Sequence, residues 1–189
     1  MGHQFFQSRE FVSEQGMDYA QRPTDDEVFH YQRDYVKKVA DGDILETLKR
    51  QCEIAVPWIK SIPSAEADVV HPPYGWSIWQ VIQHCVDAER VFGYRALRFA
   101  TGDKTELPGW DENRYASVAY ATGSSLVDLA EEFYLTRQSN IHLLQRLSPT
   151  AWEEVGTADG RLVSVRAISW LMAGHWIHHE VILKKRLNL

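Results

Sequence analysis

The chain has 189 residues, of which 44% are hydrophobic, and this fits one globular domain with a sizeable core. Its formal charge of -6 argues against a nucleic-acid-binding surface, which normally concentrates Lys and Arg. No segment has the length of a transmembrane helix or the layout of a secretory signal. We therefore expect a cytoplasmic protein that binds neither nucleic acid nor membrane.

The first half of the chain predicts a leader and two helical segments. Residues 1–24 show no sustained period and are assigned to an N-terminal leader, followed by a single domain over 25–189. A helical signal starts near Asp26 and ends at the Gly42 break. The next helix should begin at Asp43, with Glu46 at capping distance. Pro57 lacks the N–H of an internal helical bond and is expected to bend or shorten that helix.

The remaining elements predict an all-α fold. A second long helix should run from about Ser77 to Thr101, and residues 102–123 read as a turn-rich crossover. A third helix is expected from Ser124 or Ser125 to Pro149, followed by a polar loop over Gly156 and Asp159-Gly160. The last helix should span about Ser164 to Leu187. Cys52 and Cys85 show no metal-binding or disulfide spacing, so we expect free, buried thiols.

Three histidines are the candidate metal ligands: His84 in the second long helix, and His175 and His179 in the last. At about 100° per residue, His179 lies near +40° from His175 and within the apolar stripe of the last helix, whereas His178 lies near -60° at its edge. Two histidines at i and i+4 offer two nitrogens from one rigid support. Buried imidazoles also bond to carboxylates or carbonyls, so the pattern alone leaves both interpretations open.

His84 is weaker evidence when considered alone, because a single histidine beside an apolar stripe is more often a structural residue than a ligand. The zincin motif is excluded, since Trp176 rather than Glu follows His175, and Leu183 stands where a second histidine should follow His179. The sequence shows neither a nucleophile elbow nor a Gly-rich phosphate loop.

Several segments of the chain resemble the DinB-like superfamily of metal-dependent enzymes. The resemblance is carried by the run from Trp76 to His84, by Tyr94-Arg95-Ala96-Leu97-Arg98-Phe99 and by Leu107-Pro108-Gly109-Trp110-Asp111-Glu112. It is also carried by the final element Gly174-His175 with His178-His179, and it covers roughly residues 43–187. It implies a four-helix bundle with a long crossover connection. It further implies a divalent metal held by His84, His175 and His179, with His178 as a neighbour.

The resemblance implies two kinds of chemistry and leaves a third possibility open. An ion held by three neutral ligands would lower the pKa of a bound water to about 7, which predicts a hydrolase. It would also ionise a thiol, which predicts an S-transferase that uses a low-molecular-weight thiol. The alternative is a non-catalytic, stress-associated metal-binding bundle that serves in binding or assembly. Zinc or nickel is the expected metal, with iron or manganese as alternatives.

Residues near the three histidines have expected roles of their own. Asp87, one turn from His84, is the candidate to orient its imidazole, and its alternative is a solvated carboxylate. Glu89 is expected to pair with an Arg on a neighbouring helix. The crossover residues Trp110, Asp111, Glu112 and Tyr115 could contribute to the site or simply pack. A small-molecule substrate and a homodimer, the commonest oligomer, are expected.

Overall fold

The computed structural model describes residues 21–118 and 124–189, so the predicted leader lies almost wholly outside the described residues. The described chain contains seven α-helices: α1 Arg33–Val36, α2 Ile44–Ser61, α3 Ile78–Ala100, α4 Glu112–Ser117, α5 Leu126–Gln145, α6 Pro149–Glu153 and α7 Val165–Arg186. Two short strands, β1 Val155–Ala158 and β2 Arg161–Ser164, form a hairpin. Turns of 3-10 helix lie at Asp25–Glu27, His30–Gln32 and Ser64–Glu66.

The four long helices form a bundle, which confirms the predicted fold. α2 packs against α5 and α7, and α3 packs against the same two helices from the other side. Two helices that follow each other in the chain, α2 and α3, therefore lie diagonally opposite. The predicted crossover joins α3 to α5 and contains α4. Within the described part of the chain, no helix combines the length and apolarity needed to cross a membrane.

Side-chain caps fix where the bundle helices begin. Asp43 accepts hydrogen bonds from the backbone N–H groups of Leu45 and Glu46. Ser77, Ser125 and Ser164 each accept one from the residue three positions later. Such caps satisfy donors that have no partner within the helix. The predicted starts of all four helices are confirmed.

The segment predicted as a polar loop is instead the β-hairpin, in which Val155 pairs with Ser164 and Ala158 with Arg161. Its two-residue turn, Asp159-Gly160, has positive φ angles of 55° and 70°. These angles are typical of the turns that match the twist of a hairpin, and Asp-Gly is a preferred sequence for them. Each strand has only four residues, and polar residues surround both. The alternation of apolar and polar residues was therefore too short to predict strands.

α2 contains Pro57 in its interior and continues to Ser61, because a proline removes one helical bond without ending the helix when packing holds the next turn. One helix end differs from the prediction. The third helix ends at Gln145 rather than at Pro149. Pro149 opens the short helix α6, a position where a missing N–H costs nothing.

A polar layer divides the bundle core between two apolar clusters. Arg137 of α5 is fully buried and donates to both carboxylate oxygens of Glu89 on α3, at 2.9 and 2.7 Å. It also donates to Gln51 of α2 at 3.0 Å and to the carbonyl of Met172 on α7 at 3.3 Å. Asn140 donates to Glu89 at 3.0 Å. All four bundle helices are thus joined at one level, and the predicted pairing of Glu89 with an Arg is confirmed.

Candidate metal centre

The packing of α3 against α7 brings together the three histidines that the sequence singled out. Nε2 of His84 lies 3.0 Å from Nε2 of His175, and Nε2 of His179 lies 3.1 Å from the same atom. His84 and His175 are each 8% exposed, and His179 is partly buried. One ligand atom from each histidine lies within 4.8 Å of the other two, so the cluster could hold a metal ion.

His178 stays outside this cluster, as the count of helix faces predicted. Its ring lies 4.9 Å from that of His179 and 5.2 Å from the ring of Tyr35, measured between centroids. The 100° step between consecutive residues turns it away from the face that carries His175. Cys85 is buried beside His84 in sequence but does not join the cluster.

Burial keeps the three imidazoles neutral. Loss of solvent, with a smaller contribution from His178, lowers the pKa of His84 to about 4. Burial also holds the pKa of His175 and of His179 well below the usual value, and neighbouring histidines add to both effects. Neutral imidazole is the form that binds metals, so these side chains need lose no proton at pH 7 to act as ligands.

The spacing of the nitrogens fits a cation better than a network of hydrogen bonds. Nε2 of His175 lies 3.0 and 3.1 Å from two other ring nitrogens, yet a neutral imidazole has only one N–H to donate. Tetrahedral bonds of about 2.0–2.1 Å to zinc place ligand nitrogens roughly 3.3 Å apart. A small adjustment of the side chains would therefore admit an ion between them.

Asp87 does not orient His84 in the structure. Its carboxylate accepts from Gln83 at 3.1 Å and from Arg90 at 3.3 Å. Nδ1 of His84 is buried and has no hydrogen-bond partner among the described residues. Instead, the His84 ring lies flat against Trp110, with centroids 5.4 Å apart and an interplanar angle of 6°. Stacking, rather than a carboxylate, fixes the orientation of this imidazole.

The three histidines open into a cavity of about 460 Å³. Aromatic rings surround the nitrogens: Trp76 lies 5.0 Å from His84, and Phe92 lies 5.8 Å from His175, between centroids. The remaining wall comes from Arg95 of α3 and from the N-terminal segment, the crossover and the hairpin, namely Tyr31, Gln32, Tyr35, Gly109, Trp110, Glu112, Ala158, Asp159, Arg161 and Val163. This is the size and character of a small-molecule site.

The segment that precedes α2 forms part of this wall, and sequence reasoning missed it. The ring of Tyr35 meets that of His175 at 5.7 Å between centroids. Its carbonyl lies so close to α7 that a Cβ at Gly174 would approach it to 2.1 Å. Glu27 binds the same segment to the start of α7, with bonds from Ser164 at 2.7 Å and from Arg166 at 3.0 Å. Gly174, beside His175, was the feature of the sequence that could have indicated this close packing.

The crossover residues that the sequence singled out differ in their position relative to the cavity. Trp110 and Glu112 line the cavity, whereas Asp111 accepts from the N–H of Arg114 and begins α4. Tyr115 packs edge-on against Trp110, with centroids 5.3 Å apart. Trp110 therefore both packs and shapes the site.

Comparisons with known proteins agree with this fold. The family model described as the DinB superfamily matches residues 47–180. The structure is similar to YfiT from Bacillus subtilis, described as a probable metal-dependent hydrolase with an unusual four-helix bundle topology. That match has a TM-score of 0.64 and 16% sequence identity, and it covers 88% of this chain and 93% of YfiT. No curated protein matches the sequence. Because the family match spans most of the chain, this protein belongs to the DinB superfamily.

Proposed function

We propose that this protein is a metal-dependent hydrolase that binds one divalent ion through His84, His175 and His179. The observation that carries the proposal is the convergence of three neutral imidazoles at the wall of an open cavity. A structural zinc site is normally closed by four protein ligands, whereas three leave a position for water or substrate. The description of YfiT as a probable metal-dependent hydrolase supports the same assignment.

When bound, a divalent ion with three neutral ligands supplies Lewis-acid chemistry, lowering the pKa of a coordinated water to about 7. The protein holds His175 and His179 on one rigid helix and His84 on its neighbour. Trp76, Phe92 and Trp110 exclude bulk water from one side of the nitrogens and offer apolar surface to a substrate.

A second candidate is transfer of a low-molecular-weight thiol, and the composition of the wall favours it. Trp76 and Phe92 pack against the histidines, and the carboxylate of Asp87 accepts hydrogen bonds from Gln83 and Arg90. Glu112 and Asp159 also line the cavity, but a thiol would need no carboxylate as general base, because a divalent ion would ionise it directly. The hydrolase and the transferase thus use one site and differ in the nucleophile that enters it.

The test compares protein loaded with zinc or nickel, protein stripped with a chelator, and protein reloaded after stripping. Each is assayed with simple esters and amides, and separately with a small thiol and an alkylating electrophile. We expect turnover that disappears on chelation and returns on reloading. His175→Ala should abolish it, and the matched variant His178→Ala should retain it.

The outcomes separate the candidates. Turnover of esters or amides without added thiol supports the hydrolase, and thiol alkylation above the uncatalysed rate supports the transferase. Full metal binding without turnover in either assay would argue for a non-catalytic bundle. Equal activity in His175→Ala and His178→Ala would contradict the assignment of the site.

A further inference from the structure

We infer that the cavity has a second binding point, in which Arg95 holds a carboxylate of the substrate. Arg95 lies on α3, lines the cavity and is only 9% exposed. Its Nη2 atom donates to the carbonyl of Pro108 at 3.2 Å. Within the described ranges, no carboxylate forms an ion pair with this guanidinium. Asp159 acts on this guanidinium only at longer range, because its carboxylate pairs with Arg161. A buried cation without a close counter-charge is costly, and an anionic ligand would supply that charge.

The other guanidinium on the cavity wall is already neutralised. Arg161 pairs with Asp159 at 3.2 Å and donates to the hydroxyl of Tyr31 at 2.8 Å. Its guanidinium also lies 4.1 Å from the centre of the Phe29 ring. These contacts leave Arg95 as the cavity cation with free binding capacity. A planar guanidinium can hold both oxygens of a carboxylate through paired N–H donors, which favours this anion.

The helix places Arg95 and the histidines at two ends of one binding surface. Arg95 follows His84 by eleven residues on α3, a separation of about 16 Å between Cα atoms along the helix. Eleven steps of about 100° return it to within roughly 20° of the same helix face. Phe92 lies between them and lines the same cavity. The surface therefore fits an extended molecule with a carboxylate at one end, an apolar middle and the reacting group at the histidines.

This inference rests on the proposed function only for the reacting end, so its test uses metal-free protein. Benzoate and the neutral, nearly isosteric benzamide are titrated into chelator-treated protein, and binding is followed by tryptophan fluorescence and by calorimetry. We expect benzoate to bind about tenfold more tightly than benzamide, in line with the greater strength of hydrogen bonds between charged groups.

Four variants locate the effect. Arg95→Gln should remove the preference for benzoate, whereas Arg90→Gln, at an exposed position of the same helix, should keep it. Asp159→Asn is made together with Arg161→Gln, so that no second cation is released into the cavity. It removes the negative charge that acts on Arg95 and should tighten benzoate binding relative to Arg161→Gln alone. The asparagine is tolerated at that position, because its positive φ of 55° suits Asn.

Circular dichroism first establishes that Arg95→Gln folds, and if it does not, Arg95→Lys and Asp159→Asn decide the matter. Lysine should keep part of the preference, because it retains the charge and loses the paired donors. Equal binding of the two probes by the natural protein would overturn the inference. So would an unchanged preference in Arg95→Gln, or no change when Asp159→Asn is added to Arg161→Gln. Loss of metal-dependent turnover while the benzoate preference persists would count only against the proposed function.

Discussion

Nε2 of His84 lies 3.0 Å from Nε2 of His175, although 91 residues separate the two histidines in the chain. The contact exists because α3 and α7 are neighbours in the bundle, and it turns two structural helices into two halves of one site. Each half contributes side chains that are neutral at pH 7, since burial lowers the pKa of both.

Replacing any one of the three clustered histidines should remove the metal. We expect about one divalent ion per chain in the purified protein and a large loss of that content in His84→Ala, His175→Ala and His179→Ala, because two imidazoles hold an ion far less tightly than three. Metal content is measured by mass spectrometry of the elements. His178→Ala is the matched control and should keep its ion; unchanged content in all three cluster variants would refute the site.

The metal-free protein should lose stability in acid between pH 6.5 and about pH 4. Burial lowers the pKa of His84 from its ordinary value of 6.5 to about 4 in the folded protein, so the unfolded chain binds more protons in this interval. The contribution of His84 to the free energy of unfolding is fully present above pH 6.5 and is lost as the pH falls towards 4. The loss is about 3 kcal/mol for this one histidine. Urea unfolding across the range measures the effect. A His84→Ala variant should show a shallower decline, and an identical pH profile would contradict the assigned cause.

Breaking the buried pair in the polar layer should be far more damaging than breaking an exposed one. Glu89→Gln leaves Arg137 as an uncompensated buried cation and should lower the free energy of unfolding by about 3–5 kcal/mol. Glu132→Gln disrupts the exposed contact with Arg90 and should cost at most about 1 kcal/mol. Chemical denaturation compares the two, and similar losses would show that the layer contributes no more than a surface pair.

Gly174→Ala should loosen the segment that covers the site. Alanine favours a helix over glycine by about 1 kcal/mol, so propensity alone predicts stabilisation. The added Cβ would lie 2.1 Å from the carbonyl of Tyr35, and we expect a net loss of about 1–2 kcal/mol. Faster proteolysis within Tyr31–Val36 should accompany it. Gly75→Ala, where nothing lies within 4 Å, is the control, and a stabilised Gly174→Ala would disprove the close packing.

The four long helices were well predicted because they carry strong local signals, whereas their arrangement as a bundle came from the resemblance to the family. The caps at Asp43, Ser77 and Ser164 are local, and they mark helix starts without knowledge of the fold. The face count on α7 separated His175 from His178 for the same reason. The link to His84 came from resemblance to the family, since no local pattern reports which helices become neighbours.

Features that depend on tertiary contact could not be predicted from the sequence. Tyr35 reaches the site through packing against Gly174, and Arg95 faces the cavity because the crossover and the hairpin close over α3. The expectation for Asp87 rested on its position one turn from His84. Its bonds to Gln83 and Arg90 depend on rotamers that spacing does not determine.

The polar layer has a consequence for how such a protein can diversify. Arg137 bonds to the carbonyl of Met172 at 3.3 Å, and Gln51 bonds to that of Ala173 at 3.0 Å, immediately before Gly174 and His175. These bonds tie α7 to its neighbours within one turn of His175, so the bundle itself sets the backbone positions of His175 and His179. The crossover and the hairpin can therefore change in length and sequence, and with them the wall of the cavity, while these two histidines keep their places on α7.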